Sequence, residues 1–124
     1  MDIVEKIRPS FVDERGEITN VIDARIQSVI MVTSKAGAIR GNHYHKQQVQ
    51  YVYLMSGKFQ FLTKDVASDG PIESVVIEAG DLVTTQPMVA HTMHFLEDSV
   101  FLAFGTTPRE HEKYEEDTVR FTLR

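Results

Sequence analysis

The sequence predicts an all-β domain, an antiparallel sandwich or barrel. Short runs of β-branched and aromatic residues recur along the chain. Turn signals separate them about every eight to twelve residues, and there is almost no helical period. The 124 residues suit a single core. With no linker or low-complexity segment in view, one domain is expected over 1–124.

The first twelve residues carry no strong signal. Asp13-Glu14-Arg15-Gly16 reads as a turn, because Gly16 can adopt positive φ and the Asp13 side chain can cap it. Glu17–Asp23 alternates loosely and is expected to be a strand. Ile26–Ser34 is a second β-rich run, apolar enough at its centre to be covered on both faces. Lys35–Asn42, with two glycines, is expected to be a loop. Val49–Met55 and Lys58–Lys64 read as strands joined by a tight hairpin at Ser56-Gly57. Ser68-Asp69-Gly70-Pro71 is a turn cluster. Ile72–Ala79 and Leu82–Gln86 are strands about Gly80-Asp81, the second stopped by Pro87. His91–Leu96 and Ser99–Gly105 read as a hairpin around Glu97-Asp98. The blocks 37–64 and 80–105 are expected to be two halves of one barrel. Arg109–Asp117 reads as a short helix or an ordered tail, and Thr118–Leu123 returns to β-type residues.

Hydrophobic residues make up 42% and charged residues 25% of the chain, as in an ordinary soluble globular protein. No apolar run approaches membrane-spanning length, and the N-terminus does not read as a signal peptide, so no membrane partner and a cytoplasmic location are expected. A net charge of −5 argues against a nucleic-acid partner, which requires a basic surface. There is no cysteine, hence no disulfide, thiolate nucleophile or thiolate metal site. Any metal would be held by His, Asp, Glu or Gln.

The chemistry concentrates in Gly37–Gly57. Side chains two apart share a face of a strand, so His43 and His45 point the same way if that segment is extended. Gln50 shares its face with Val52 and Leu54. The opposite face, Val49, Tyr51, Tyr53 and Met55, is too apolar for water and is expected to meet a second sheet or another subunit. In the later strand His91 shares its face with Met93 and Phe95, whereas His94 lies on the other side. Parity therefore selects His91 for the pocket, unless a bulge intervenes. A lone histidine is most often a surface or hydrogen-bonded core residue. A converging set is different: it suits a divalent transition metal, or proton transfer near neutral pH.

Gly37-x5-His43-x-His45-x4-Gln50-x6-Gly57 resembles the first motif of the cupin superfamily, with Gln50 where metal-binding cupins usually have Glu. The second motif, over 80–95, runs from Gly80 through Pro87 to His91 and is looser, with Val89 and Phe95 where Gly and Asn are usual. The implied fold is a small jelly roll, or double-stranded β-helix, with 106–124 as a tail. Arg40-Gly41-Asn42-His43-Tyr44-His45 and Asp13-Glu14-Arg15-Gly16 are similar to segments of cupins acting on nucleotide-linked sugars. These are the dTDP-sugar 3,4-ketoisomerases, the deoxysugar 3,5-epimerases and the capsule-biosynthesis cupin epimerases. The ketoisomerase-like group often carries Gln at the position of Gln50. Two departures stand against a full transfer: Ile30-Met31 replaces tyrosines of the ketoisomerases, and the epimerases carry catalytic groups in a C-terminal extension.

The resemblance implies an isomerase or epimerase of carbohydrate biosynthesis acting on a nucleoside-diphosphate keto-sugar, with no cofactor required. His43 would be the base, and His45 the second proton carrier or a stabiliser of the enediolate. Arg40, Gln50 and His91 would contact the sugar, and Arg15 the phosphate. The alternative is a metal-dependent cupin, a dioxygenase or isomerase, with Fe, Ni, Mn or Zn on His43, His45, Gln50 and His91. A non-catalytic sugar-binding cupin is the third reading. The tail contains His111 among several carboxylates, and such a charge run is usually a solvated face. A homodimer is expected from the apolar alternate face and the sheet edges that a short sandwich must cover.

Overall fold

Sheet membership alternates along the chain. The structure, a computed structural model, describes residues 3–107 and 115–123. Its strands are β1 (Val4–Lys6), β2 (Phe11–Asp13), β3 (Gly16–Ile18), β4 (Ser28–Ser34), β5 (Ile39–His45), β6 (Gln50–Ser56), β7 (Lys58–Asp65), β8 (Glu73–Glu78), β9 (Asp81–Thr85), β10 (Val89–Phe95), β11 (Ser99–Gly105) and β12 (Thr118–Arg120). One sheet has the order β1-β9-β6-β11-β4 and the other β12-β5-β10-β7-β8, while β2 and β3 form a separate two-stranded hairpin. Every connection from β4 to β7, and again from β8 to β11, crosses between the two sheets. This is the jelly roll expected from the sequence.

The crossings correct two expectations. Neither β6–β7 nor β10–β11 is a hairpin, because in each pair one strand lies in each sheet. Ser56-Gly57 and Glu97-Asp98 are corners, and they pack against each other: Lys58 N–H donates to Ser99 Oγ at 3.2 Å and Leu96 N–H to Lys58 O at 2.9 Å. A Cβ on Gly57 would stand 2.6 Å from the Asp98 carbonyl oxygen, and its φ of 99° already favours glycine. The consecutive pair β7–β8 is the hairpin within the main sheets, closed through the predicted 68–71 turn. The blocks 37–64 and 80–105 are thus interleaved across both sheets, not two self-paired halves.

Three further differences appear. Lys35–Asn42 is not all loop, since β5 begins at Ile39. The strand expected over Glu17–Asp23 is confined to Gly16–Ile18, while β1 and β2 occupy the stretch that lacked a signal. The apolar centre of β4 is covered on one face only. Val29 and Met31 remain 56% and 65% exposed on the outer side of an edge strand. Of the Arg109–Asp117 stretch, 109–114, including His111, lies outside the described residues, and 115–117 form a helical turn leading into β12.

Between the sheets lies one apolar cluster: Val52, Leu54, Phe59, Phe61, Ile77, Val83, Met93, Phe95, Phe101 and Ala103. Phe95 is stacked on Phe101 at 5.9 Å between ring centroids and lies 5.3 Å from Phe59. Burying each such ring contributes about 1.5–3 kcal/mol from removal of apolar surface from water. Among the described residues no helix is long and apolar enough to cross a membrane.

Candidate active site

The inward side chains change character in one direction along the strands. On β10 they run Phe95, Met93, His91; on β7 Phe59, Phe61, Thr63; on β6 Leu54, Val52, Gln50. The histidines therefore sit at one end of the interior, above the apolar cluster. His43 and His45 enter that end from β5, and His91 faces His43 directly across the β5–β10 pairing.

A bulge sets this register. His91 pairs with His43, but the next residue of β10, Thr92, pairs with Gly41, so Asn42 is the extra residue. Gly41 has φ 90° and Asn42 has φ 55°, a region that glycine and asparagine tolerate best. A Cβ at Gly41 would lie 2.7 Å from the His91 carbonyl oxygen, so the close approach of β5 to β10 beside the histidines requires glycine. Asn42 is held by its own amide. Its Oδ1 accepts from Thr92 Oγ1 at 2.6 Å and from the Leu123 N–H at 2.9 Å.

The three rings form a compact set. Their centroids are 4.9 Å apart for His43–His45, 4.7 Å for His43–His91 and 5.9 Å for His45–His91. One nitrogen from each lies within 4.8 Å of the others. His45 and His91 are buried and His43 is half-buried, so His43 is the one open to an incoming molecule. Burial holds the His91 imidazole down to about pKa 4; the neighbouring His45 adds to this, and the Val89 carbonyl opposes it. His91 is consequently neutral at physiological pH. Its Nδ1 lies 3.4 Å from Val89 O, which favours a proton on Nδ1 and leaves the Nε2 lone pair as acceptor.

Sequence comparison places this arrangement. The sequence profile of the polysaccharide biosynthesis C-terminal domain matches residues 11–119. The chain belongs to the polysaccharide biosynthesis C-terminal domain family. No curated protein matches it in sequence. Among solved structures it is similar to the rmlC epimerase of Mycobacterium tuberculosis, with 18% identity and TM-score 0.76 over 94% of this chain and 66% of that one. It is also similar to the 3,4-ketoisomerase QdtA of Thermoanaerobacterium thermosaccharolyticum, solved with TDP. There the identity is 22% and the TM-score 0.75, over 97% of this chain and 88% of that one. A further variant of QdtA was solved with TDP-4-keto-6-deoxyglucose. A 3,4-ketoisomerase from Helicobacter canadensis gives 16% identity and TM-score 0.77 over 94% of this chain and 88% of that one. At these identities the likeness is one of fold. The chain spans about two thirds of the M. tuberculosis epimerase.

Within the family domain, the other sequence-predicted residues are placed in different ways. Gln50 opens β6, half-buried, paired with Thr85 of β9 and Gly105 of β11 and on the same face as buried Val52 and Leu54. Arg40 lies at the start of β5. Its guanidinium donates to Ser34 Oγ at 2.8 Å and Thr33 O at 3.0 Å, beside a cavity of about 590 Å³ also lined by Lys35, Asp98 and Ser99. Arg15, 80% exposed, makes two bonds to the Asp13 carboxylate at the tip of the β2–β3 hairpin, which hold that carboxyl below its usual range. His94 faces away from the cluster, paired with Gln60 and Ile39.

The same three imidazoles form a donor set for a divalent transition metal. Two nitrogens on one ion at about 2.1 Å can be no more than about 4.2 Å apart. The present separations of up to 4.8 Å exceed that limit by about 0.6 Å, so the rings would have to close on an ion to bind it. With that closure the residues fit such an ion.

Sequence reasoning missed Asp117, which the charged tail concealed. It contacts His45: Oδ2 lies 3.5 Å from His45 Nδ1, and Thr118 Oγ1 lies 3.3 Å from the same nitrogen. The available signal was position, since Asp117 is the last charge before the β-type run at Thr118.

Proposed function

We propose that this chain is a sugar-nucleotide ketoisomerase or epimerase that moves a proton α to a keto group. The observation that carries the reading is the convergence of His43, His45 and His91 at one end of the interior of a fold shared with dTDP-sugar epimerases and ketoisomerases. A hydrogen α to a ketone is acidic enough for a positioned imidazole to remove, provided the enolate oxygen meets a donor. His43, half-buried and the most accessible of the three, is the base. His45 carries the second proton. Neutral His91 keeps one face of the site uncharged, so a protonated His43 is not repelled from that side. Gln50 and Arg40 orient the sugar oxygens, Arg40 by exchanging its bonds to Ser34 and Thr33 for ligand oxygens, and Arg15 holds phosphate.

A nucleoside diphosphate that binds the native state raises the melting temperature. Millimolar dTDP or UDP is expected to do so here, and Arg40→Ala to reduce the shift. No shift with either nucleotide contradicts the proposal.

A second reading rests on the same three nitrogens. A divalent metal held by His43, His45 and His91, with the amide of Gln50 as a further ligand, would supply a Lewis acid for an enolate oxygen. Elemental analysis after reconstitution with Zn, Mn, Ni or Fe tests it. Stoichiometric uptake that His91→Ala abolishes supports the reading, and no uptake removes it.

The chain is further proposed to act as a homodimer in the cytoplasm. Support for the dimer comes from the exposed Val29 and Met31 of edge strand β4 and from Phe11, Val12 and Ile18 on the β2–β3 hairpin. Light scattering at micromolar concentration is expected to give twice the chain mass, and a monomer contradicts it.

A further inference from the structure

We infer that Asp117 is a positioning residue for the histidine site, fixing both the orientation and the tautomer of His45. The inference deepens the proposed proton-transfer reading and, for its effect on turnover, rests on it.

The chain must leave His45 in one sheet and re-enter the other at Gln50. Three consecutive backbone N–H groups in the turn between them are satisfied by one residue. Lys46 N–H donates to the Asp117 carbonyl at 2.9 Å, Gln47 N–H to Asp117 Oδ1 at 2.7 Å and Gln48 N–H to Asp117 Oδ2 at 3.2 Å. The carboxylate is thereby held at both oxygens, and only 12% of its side chain is exposed. Oδ2 is also the oxygen 3.5 Å from His45 Nδ1. One carboxylate thus reads the turn and the imidazole together.

The chemical consequence concerns which ring nitrogen of His45 carries the proton. Nδ1 has two oxygens beside it, Asp117 Oδ2 and Thr118 Oγ1. A carboxylate can only accept, so the arrangement favours a proton on Nδ1. The Nε2 lone pair is then the group His45 offers to the site. An ionised partner is the stronger influence of the two, because hydrogen bonds to charged groups are roughly twice as strong as neutral ones. Thr118 can donate or accept and does not by itself choose a tautomer. Asp117 sits immediately before β12, whose Thr118 pairs with His45. Docking of the C-terminal strand and setting of the imidazole are therefore one event.

Nitrogen NMR of the histidine side chains, in mildly alkaline buffer, tests this without substrate. The His45 signals are assigned by their loss in His45→Gln. The wild type is expected to show His45 protonated at Nδ1, and Asp117→Asn to shift His45 toward Nε2 protonation. Thr118→Val is expected to keep the wild-type tautomer. A wild type protonated at Nε2 overturns the inference. So does an Asp117→Asn protein with an unchanged tautomer, which would show that Asp117 serves the turn alone. Loss of the Nδ1 proton in Thr118→Val assigns the role to Thr118 and overturns it too. If Asp117→Asn does not fold, the wild-type and Thr118→Val spectra decide the matter.

With TDP-4-keto-6-deoxyglucose as probe, Asp117→Asn is expected to lower kcat at least about tenfold with little change in KM, since a misplaced acceptor affects the transition state most. An unchanged kcat in an active protein overturns the positioning role. A wild type inactive on this probe while the tautomer result stands counts against the proposed function only.

Discussion

The two ends of the barrel interior are built from the same strands on opposite principles. At one end Phe59, Phe61, Phe95, Phe101, Ile77 and Leu54 pack with essentially no exposure. At the other, the same strands present His91, Thr63 and Gln50, and β5 adds His43 and His45. The apolar end is fixed by shape and by exclusion of water. The polar end gains little from burial, and burying an unpaired polar group is unfavourable. It is held instead by specific long-range bonds: Asn42 to Thr92 and Leu123, and Asp117 to the turn after β5. Folding free energy and chemistry are thus assigned to separate ends of one interior. Substitutions should therefore separate them.

The largest expected effect is on turnover. His43→Ala should reduce α-proton exchange by about 10²–10⁴-fold, the usual contribution of a positioned acid–base group. Because His43 is half-buried, its melting temperature should stay near that of the wild type. A large loss of stability in this variant would break the division between the two ends. Phe95→Ala is the converse. Removing a fully buried ring should destabilise the protein by about 3–5 kcal/mol, measured by urea denaturation.

Gly41→Ala lies where the two ends meet. Its Cβ would collide with the His91 carbonyl, and its φ of 90° is unfavourable for alanine. A loss of about 1–3 kcal/mol is expected, together with reduced activity, because β5 must move away from β10 beside His43. Full activity in a stable variant would show that the bulge does not set the histidine register.

How much of this was legible in the sequence differs in the same way. The all-β class, the inward parity of Val52 and Leu54, and the choice of His91 over His94 all follow from local alternation, which a pleated strand imposes on its neighbours; the short strands β1 and β2 and the start of β5 do not, because three residues or a glycine-bearing run give no alternation to read. The corners at Ser56-Gly57 and Glu97-Asp98 were misread as hairpins. A short glycine-bearing turn has the same local composition whether the chain returns to its own sheet or crosses to the other. The deciding contact, Lys58 N–H to Ser99 Oγ, is long-range. Gly41-Asn42 looked like the end of a loop because a bulge uses loop residues within a strand. Asp117 was hidden for a similar reason. A carboxylate in a charged run is indistinguishable by composition from its solvated neighbours, and only the fold brings it to His45.

A smaller effect should appear with pH. The folded-state pKa of His91 is depressed to about 4 from an ordinary 6.5, so below 6.5 the unfolded chain binds the extra proton first. The contribution of neutral His91 is complete above 6.5 and is lost as pH falls toward 4. Between pH 7 and pH 5 the loss should be on the order of 1–2 kcal/mol. Urea midpoints at the two pH values, compared between wild type and His91→Gln, measure it. An equal pH dependence in both would assign the loss to other groups.

The most direct test follows the proton itself. TDP-4-keto-6-deoxyglucose is incubated with the protein in D2O and the hydrogens flanking its keto carbon are followed by proton NMR. The account predicts that the wild type exchanges a flanking hydrogen for deuterium and that His43→Ala does so at least about a hundredfold more slowly. A folded wild type that binds dTDP yet leaves every flanking hydrogen in place would contradict it.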